Sequence, residues 1–187
     1  CLGAERTAST GGAAGSGRSI GWRYAELGAD VISRGRRGEG RARTAGEIPQ
    51  AVGDAVESHV CDVRDAPAVE AMFDRIWEGG PLDVLVNNAA GNFLARTERL
   101  SARAVDAVVD IVLKGGAYCT IAAGRRWIGQ ARPGTVLCIL TQSALVGAPF
   151  TVPSAIAKAG LLSMRRSVAL EGGPQGLRFV RVVPGLF

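Results

Sequence analysis

A run of glycines lies near the start of the chain, in the segment that reads T-G-G-A-A-G-S-G over residues 10 to 17. Glycine lets the backbone turn tightly and approach a phosphate, whose charge is met by the amino end of the next helix. The residues predicted to form this phosphate-binding turn are Thr10, Gly11, Gly12, Ala13, Ala14, Gly15, Ser16 and Gly17. Such a turn is weak evidence alone, and its position between a predicted strand and a predicted helix strengthens it.

Basic residues end the second predicted strand, in the segment V-I-S-R-G-R-R over residues 31 to 37. An NAD(H) site needs an acid there to accept from the ribose 2′-hydroxyl, but the nearby acid, Asp30, stands at the strand's other end. A guanidinium at Arg36 would instead form bidentate hydrogen bonds with a 2′-phosphate. The sequence therefore favours NADP(H), the alternative being a solvated basic loop.

Lys158 and Asn92 are polar residues in surroundings that suggest chemistry. Lys158 is one of two lysines, and its neighbours on the predicted helix are apolar almost all round, which is typical of a buried or subunit-interface helix. Asn92 follows the run A-A-G and offers an amide donor. The alternatives are a solvated lysine and an asparagine that ends a turn.

Short apolar runs alternate with helical segments, which is the pattern of a parallel sheet covered by helices. Strands are predicted at 6–10, 30–33, 58–61, 82–87, 135–141 and 178–183, and helices at 17–27, 42–52, 66–77, 102–130 and 153–171. The fold class is therefore α/β, a three-layer, Rossmann-type, doubly wound parallel sheet with helices on both faces. The first strand is the weakest prediction, because R-T-A-S-T carries little apolar bulk for a central strand.

Composition limits the classes of protein that the chain can represent. A length of 187 residues with 47% hydrophobic and 21% charged residues fits one globular domain, residues 1–187. The net charge of +5 comes from dispersed arginines, and no apolar run approaches a membrane span. Four cysteines without paired spacing predict neither zinc nor a disulfide framework. We expect a cytoplasmic protein with no metal and no nucleic-acid or membrane partner.

Three further motifs carry a resemblance to a known family: C-D-V at residues 61–63, N-N-A-A-G at 87–91 and P-G at 184–185. With the glycine turn, they resemble the short-chain dehydrogenase/reductase superfamily over nearly the whole chain. The resemblance implies a nicotinamide coenzyme, a small-molecule substrate and a homo-oligomer, either dimer or tetramer. It also implies coenzyme contacts at Asp62, Val63, Asn88, Ala89, Ala90, Gly91, Lys158, Pro184, Gly185, Leu186 and Phe187. By the same comparison we expect the C-terminal substrate lobe and last strand of the family to be missing.

Two segments resemble one branch of that superfamily, the 2,4-dienoyl-CoA reductases: G-N-F-L at residues 91–94 and V-P-S-A-I-A-K-A-G at 152–160. Ser154 stands where most members have the tyrosine of Tyr-x-x-x-Lys, as in that branch, and Lys158 is kept. The branch implies that Asn92 and Ser154 contact an acyl-CoA thioester, that Lys158 binds the nicotinamide ribose and that Phe93 walls the acyl chain. Thr141 stands where most members have a catalytic serine.

Two positions depart from the branch. Ser143 stands where a tyrosine, eleven residues before the serine, should help to hold the thioester carbonyl, and Lys114 replaces an asparagine. The Ser143 hydroxyl is a candidate donor in its place, but it is shorter and a weaker acid than a phenol. An ammonium at Lys114 would be unfavourable near Lys158 if both were partly buried, and the alternative is a surface lysine. Three hypotheses follow: an NADP(H)-dependent dienoyl-CoA reductase, a catalytically impaired nucleotide-binding remnant, and a carbonyl reductase with another substrate. The absence of Tyr-x-x-x-Lys argues against the third.

Overall fold

The computed structural model describes residues 5–12, 15–35 and 57–185. Its strands are β1 (Arg6–Thr10), β2 (Asp30–Gly35), β3 (Glu57–Val60), β4 (Val84–Asn87), β5 (Gly134–Ile139) and β6 (Leu177–Val182). Within the described ranges they form one sheet in the order β3-β2-β1-β4-β5-β6, with every neighbouring pair parallel. The chain therefore has the predicted Rossmann-type sheet, whose order reverses between β1 and β4.

The helices are α1 (Gly15–Glu26), α2 (Ala66–Glu78), α3 (Ala102–Val109), α4 (Gly115–Gly129), α5 (Ser143–Val146) and α6 (Val152–Gly172). A π-helical turn, Asp110–Lys114, joins α3 to α4, so the single helix predicted over 102–130 is interrupted. Short 3₁₀ turns occupy Thr97–Arg99 and Gly173–Gln175. The helix predicted at 42–52 lies outside the described residues, and α5 was not predicted.

Strand β1 lies at the centre of the sheet despite its small side chains. Residues 7–10 are all buried, and β1 pairs with β2 on one side and with β4 on the other. A strand buried on both faces must exclude water, and alanine, serine and threonine do so where the covering elements pack closely. Apolar bulk was therefore the wrong criterion for this strand.

Several strand ends differ from the prediction in a way that matters for the carboxyl edge. β5 ends at Ile139 rather than at Thr141. The N–H of Leu140 still donates to the carbonyl of Val182 at 2.9 Å, and the chain then turns away from the sheet. β4 begins at Val84 rather than at 82, and β3 ends at Val60. Thr141 is thus released from the sheet at its carboxyl edge.

The long helical segment Ala102–Gly129 is a core element. By length and composition it is apolar enough to cross a membrane, which corrects the expectation that no run approaches that length, and it is the one such helix in the described part of the chain. In the fold, its residues Val112, Cys119 and Trp127 are buried in the main hydrophobic cluster. Packing of this helical segment against the sheet and against α6 therefore accounts for its apolar composition.

Residues at the helix ends explain where two of the helices begin and end. Asp65 caps α2 by accepting from the N–H of Ala68 at 3.2 Å, and Pro67 stands in the first turn. Gly28, after α1, has a φ of +88°, which favours glycine. The three described cysteines, Cys61, Cys119 and Cys138, are buried free thiols.

Candidate functional site

The glycine turn after β1 depends on close backbone contacts that exclude larger residues. Gly11 has a φ of +69° and Gly15 a φ of +54°. A Cβ on Gly17 would overlap the carbonyl oxygen of Gly11 and the side-chain nitrogen of Asn88, and a Cβ on Gly12 would lie 2.5 Å from the hydroxyl of Ser33. Each glycine is therefore required by conformation or by a neighbour, as a turn that approaches a phosphate needs.

Thr10 and Asn88 tie this turn to the loop that follows β4. The Thr10 hydroxyl accepts from the N–H groups of Asn88 and Ala89, both at 3.0 Å. In return, the Asn88 amide donates to the carbonyl of Thr10 at 3.0 Å, and its oxygen accepts from Ser16 Oγ at 3.3 Å. The two loops on either side of the strand-order reversal thus form one rigid unit.

This unit fits a dinucleotide. Helix α1 begins at Gly15, inside the motif, so its unpaired N–H groups and positive dipole end face the turn. The glycine contacts leave the turn with no side chain at Gly11, Gly12 or Gly17 to block a pyrophosphate. Because ligands of such sheets bind outside the carboxyl ends of the strands where the order reverses, the turn stands where a coenzyme would be held.

A cleft of about 480 Å³ opens at the same edge of the sheet. Its lining residues are Ser16, Asn88, Ala90, Gly91, Asn92, Ile139, Leu140, Thr141, Ser154, Lys158, Pro184 and Gly185. The fold therefore brings together residues from the glycine turn, from the loops after β4, β5 and β6, and from α6. Among these lining residues Lys158 is the one ionisable side chain, so the cleft suits a ligand or intermediate that carries negative charge.

Ser154 and Lys158 are four residues apart on α6 and therefore share one face of that helix. The helix begins at Val152, with Pro153 in its first turn. Gly160 allows α6 to approach Leu113, whose Cδ1 would lie 2.8 Å from a Cβ at that position. Close packing of α6 on the π turn thus fixes the face that carries both polar residues.

Lys158 is a buried ammonium, only 4% exposed. It donates a hydrogen bond to the carbonyl oxygen of Ile139, the last residue of β5. Burial lowers the pKa of Lys158 to about 8, and the neighbouring Cys138 thiol opposes that shift. Burial also raises the pKa of Cys138, against a hydrogen bond with Asn87 and the nearby charges of Lys158 and Arg165. The lysine therefore changes charge close to neutral pH.

Asn92 and Thr141 contribute neutral hydrogen-bonding groups to the cleft. The Asn92 side-chain oxygen accepts from the N–H of Phe93 at 3.0 Å, which orients the side chain and leaves its amide NH₂ as a donor group. Thr141 begins the turn into α5, where its carbonyl accepts from the N–H of Ala144 at 3.1 Å. The Asn92 amide, the Lys158 ammonium and the hydroxyls of Thr141 and Ser154 share one cleft. Such groups can stabilise a developing oxyanion.

Some predicted site residues lie elsewhere. Ser143 begins α5, and neither it nor Phe93 is among the described residues that line the cleft. Phe93 stands half-exposed beside Asn92. Arg36, Ala13, Ala14, Leu186 and Phe187 fall outside the described residues.

Asp62 and Val63 follow β3, as predicted from the C-D-V motif. The Asp62 carboxylate accepts from the Arg64 guanidinium, with Nε at 2.9 Å from Oδ1 and Nη2 at 2.5 Å from Oδ2. Val63 packs against the backbone of Gly115, where an added Cβ would lie 2.6 Å from its Cγ2. The contact between Asp62 and adenine stays a prediction. In that contact the Asp62 carboxylate would bind both the adenine and the Arg64 guanidinium.

Lys114 does not oppose Lys158. It lies in the π turn, its side chain is 54% exposed, and its ammonium is 2.7 Å from the Asp110 carboxylate. The hydrogen bond and charge of Asp110 raise the pKa of Lys114. Lys114 is therefore the surface lysine that the sequence allowed as the alternative, and no repulsion between two buried ammonium groups arises.

Two cleft residues escaped the sequence analysis, Ile139 and Leu140. Ile139 acts through its backbone carbonyl, which holds the Lys158 ammonium. Every residue carries such a carbonyl, so residue type gives no signal. The end of an apolar strand two residues before Thr141 was the available clue.

Comparisons with known proteins agree with this architecture. The family model described as short chain dehydrogenase matches residues 7–187. A probable 2,4-dienoyl-CoA reductase 3 from Caenorhabditis elegans is 44% identical over 178 residues, which cover 94% of this chain and 58% of the relative. A probable 2,4-dienoyl-CoA reductase from Bacillus subtilis is 39% identical, over 94% of this chain and 70% of the relative.

A solved structure shows the same fold. The crystal structure of a metagenomic short-chain oxidoreductase in complex with NADP superposes with a TM-score of 0.91 at 26% identity, over 98% of this chain and 83% of that chain. The chain spans under three fifths of the length of the Caenorhabditis relatives that it matches. The resemblance to dienoyl-CoA reductases seen in the motifs is thus supported by whole-chain similarity.

Proposed function

Since the chain belongs to the short-chain dehydrogenase family, we propose that it is an NADP(H)-dependent oxidoreductase that reduces a 2,4-dienoyl-CoA or a related enoyl thioester. One observation carries the proposal: Asn92, Ser154 and Lys158 line a single cleft beside the glycine turn, with a serine in place of the usual tyrosine. The relatives named as probable 2,4-dienoyl-CoA reductases support the same substrate class.

The coenzyme, when bound, supplies the hydride. The glycine turn and the amino end of α1 would hold its pyrophosphate, and Asn88 to Gly91 would line the nucleotide cleft. Lys158 would donate to the nicotinamide ribose from the position where it now bonds to Ile139.

The choice of NADP(H) is supported by the charges around β2. Asp30 stands at the amino end of the strand, where its carboxylate is 2.9 Å from the Arg6 guanidinium, so it is remote from the carboxyl edge. β2 ends at Gly35, and Arg36 follows directly. The sequence directly after the strand therefore offers arginines rather than an acid, which favours a 2′-phosphate. The NADP complex of a similar fold agrees with this choice.

The residues of the cleft would stabilise charge on the substrate. Hydride addition to a conjugated thioester moves negative charge onto the thioester oxygen, and the site must aim donors at that oxygen. The Asn92 amide and the Ser154 hydroxyl are the donors that the cleft offers, and the Lys158 ammonium adds positive potential. Thr141 contributes a further hydroxyl to the lining of the cleft.

A second candidate is a nucleotide-binding protein with impaired catalysis. Ser143, which stands where the branch has a carbonyl-binding tyrosine, begins α5 and is absent from the described lining of the cleft. Losing one oxyanion donor typically costs roughly 10²–10³ in rate. Such a protein would bind the coenzyme but would not catalyse the reduction.

One assay separates the two candidates. The purified chain is mixed with NADPH and 2,4-hexadienoyl-CoA, and the absorbance of the reduced nicotinamide is followed. Consumption of NADPH that is lost in both Asn92→Ala and Lys158→Ala supports the reductase. Saturable NADPH binding without consumption supports the impaired protein, and consumption that survives both substitutions contradicts the assignment of the cleft.

A further inference from the structure

Phe150 has a left-handed backbone conformation, with a φ of +67°. L-residues rarely adopt this region, and for a bulky side chain it is a genuine outlier. Strained residues persist only where the surrounding structure holds them, and they cluster at binding sites. Glycine would fit this backbone without strain, so the presence of a phenyl ring requires an explanation.

The position of Phe150 relates the ring to the cleft. Its carbonyl accepts a hydrogen bond from the N–H of Ala95 at 3.2 Å. Ala95 comes three residues after Asn92, and Phe150 comes four residues before Ser154; both Asn92 and Ser154 line the cleft. The bond therefore joins the two loops that lead away from the donor groups.

Large apolar side chains are exposed on both loops and on the neighbouring helix α5. We call this set the apolar rim; its members are Phe93, Leu94, Leu145, Val146 and Phe150. Phe150 itself is 49% exposed. Exposed apolar side chains mark a binding surface where they come together, and the bond between Ala95 and Phe150 joins two segments that carry them. Each of these segments runs on into a cleft that holds polar donors. A ligand with a polar head and an apolar tail matches this division.

We propose that Phe150 is a specificity-determining residue that contacts the acyl chain of the thioester substrate where the chain leaves the cleft. The inference rests on the proposed function, because it takes the polar head to be the thioester carbonyl. The bond from Ala95 holds the backbone of Phe150 next to the loop that follows Asn92, so the residue is positioned before the substrate binds. Affinity then depends on acyl length, since each methylene that is buried strengthens binding roughly fourfold.

Binding of hexanoyl-CoA and dodecanoyl-CoA in the presence of NADPH tests the inference by calorimetry. These saturated thioesters are not reduced, so the measurement is independent of turnover. Wild-type protein should bind dodecanoyl-CoA more tightly. Phe150→Ala should lower the ratio of the two affinities by roughly tenfold, with little change for hexanoyl-CoA, and Phe150→Leu should keep most of the ratio.

Two further variants separate the contact from a fault in folding. Phe150→Gly should lose the ratio as Phe150→Ala does, yet melt at a higher temperature than Phe150→Ala, because glycine adopts a positive φ without strain. Leu170→Ala is the matched control: Leu170 is an 82% exposed apolar residue of α6, about 24 Å along the helix from Ser154. It should leave the ratio unchanged.

Each outcome has one meaning. If wild-type protein prefers dodecanoyl-CoA and Phe150→Ala and Phe150→Gly prefer it equally, the role of Phe150 is wrong and the proposed function stands. Equal binding of both thioesters by wild-type protein also overturns the role of Phe150 alone. Failure of the NADPH-bound protein to bind either thioester overturns the proposed function, and the inference with it.

Discussion

The buried ammonium of Lys158 donates a hydrogen bond to the carbonyl oxygen of Ile139, where β5 ends. This bond fixes the lysine of α6 to the carboxyl edge of the sheet, beside the cleft that also contains Ser154. Burial removes the ammonium from water and lowers the pKa of Lys158 to about 8, so the charge of the cleft depends on pH around that value.

The first prediction concerns the pH dependence of activity and of coenzyme binding. With a pKa of about 8, Lys158 is charged below that pH and neutral above it. We expect NADPH affinity and kcat/KM to fall as pH rises through about 8, because the positive potential is lost. Titrations and initial rates over this range check the expectation. The same fall in Lys158→Met would contradict it.

The stability of the ligand-free protein should follow the opposite trend. The pKa of Lys158 is lower in the folded state than its ordinary value of 10.5. The unfolded state therefore binds more protons between pH 8 and 10.5, and stability rises with pH across that window. Lys158→Met should be more stable than wild-type protein below pH 8, by an amount on the order of 3 kcal/mol. Urea unfolding should show that difference shrinking towards pH 10.5; a constant difference would exclude the burial effect.

Gly17→Ala should weaken NADPH binding at least tenfold. The new Cβ would overlap the carbonyl of Gly11 and the amide of Asn88, so the phosphate turn must shift. Gly124→Ala is the matched control in a helix, because a Cβ there meets nothing within 4 Å. It should leave binding unchanged and stabilise the fold by about 0.5–1 kcal/mol. Fluorescence titration with NADPH and thermal unfolding measure both effects, and wild-type affinity in Gly17→Ala would refute the geometry of the turn.

Thr10→Val should destabilise the protein by about 2–4 kcal/mol, and Thr10→Ser should restore most of the loss. Valine removes an acceptor that two N–H groups share, that of Asn88, which is buried, and that of Ala89, which is partly buried. Serine keeps that acceptor. Denaturant unfolding of the three proteins checks the order wild type, serine, valine. Equal stability of the two variants would show that the hydroxyl is not what joins the loops.

Gly134→Ala tests packing at the amino edge of the sheet, away from the cleft. Its Cβ would overlap the indole of Trp127, which is fully buried and donates from Nε1 to the carbonyl of Leu82 at 2.5 Å. Overpacking of this kind costs about 1–3 kcal/mol. We expect a lower melting temperature with an unchanged NADPH affinity of the folded fraction. A changed NADPH affinity with an unchanged melting temperature would contradict this prediction.

The sequence was sufficient for the fold where apolar runs alternate with helical periodicity. From the sequence, β1 was the weakest predicted strand. It is nevertheless buried, because neighbouring elements pack closely against its small side chains. The sequence also missed α5, whose four residues carry no side-chain cap.

The site was predictable where a side chain acts and unpredictable where the backbone acts. Lys158 was predicted from its type and apolar surroundings as well as from the family resemblance, whereas Asn92, Thr141 and Ser154 were predicted from the resemblance. The fold lines one cleft with all four. The carbonyl of Ile139 and the positive φ of Phe150 are backbone properties that tertiary structure imposes. Ser143 lies at the start of α5, a short helix that has no side-chain cap by which the sequence could have predicted it.

Direct measurement of coenzyme affinity tests the central claim, that the turn from Gly11 to Gly17 holds a dinucleotide at the carboxyl edge of the sheet. The purified, folded chain is titrated with NADPH and with NADH, alongside Arg36→Ala. We predict saturable binding of NADPH, tighter than that of NADH, with the preference reduced in Arg36→Ala. A folded sample that binds neither coenzyme would contradict the claim.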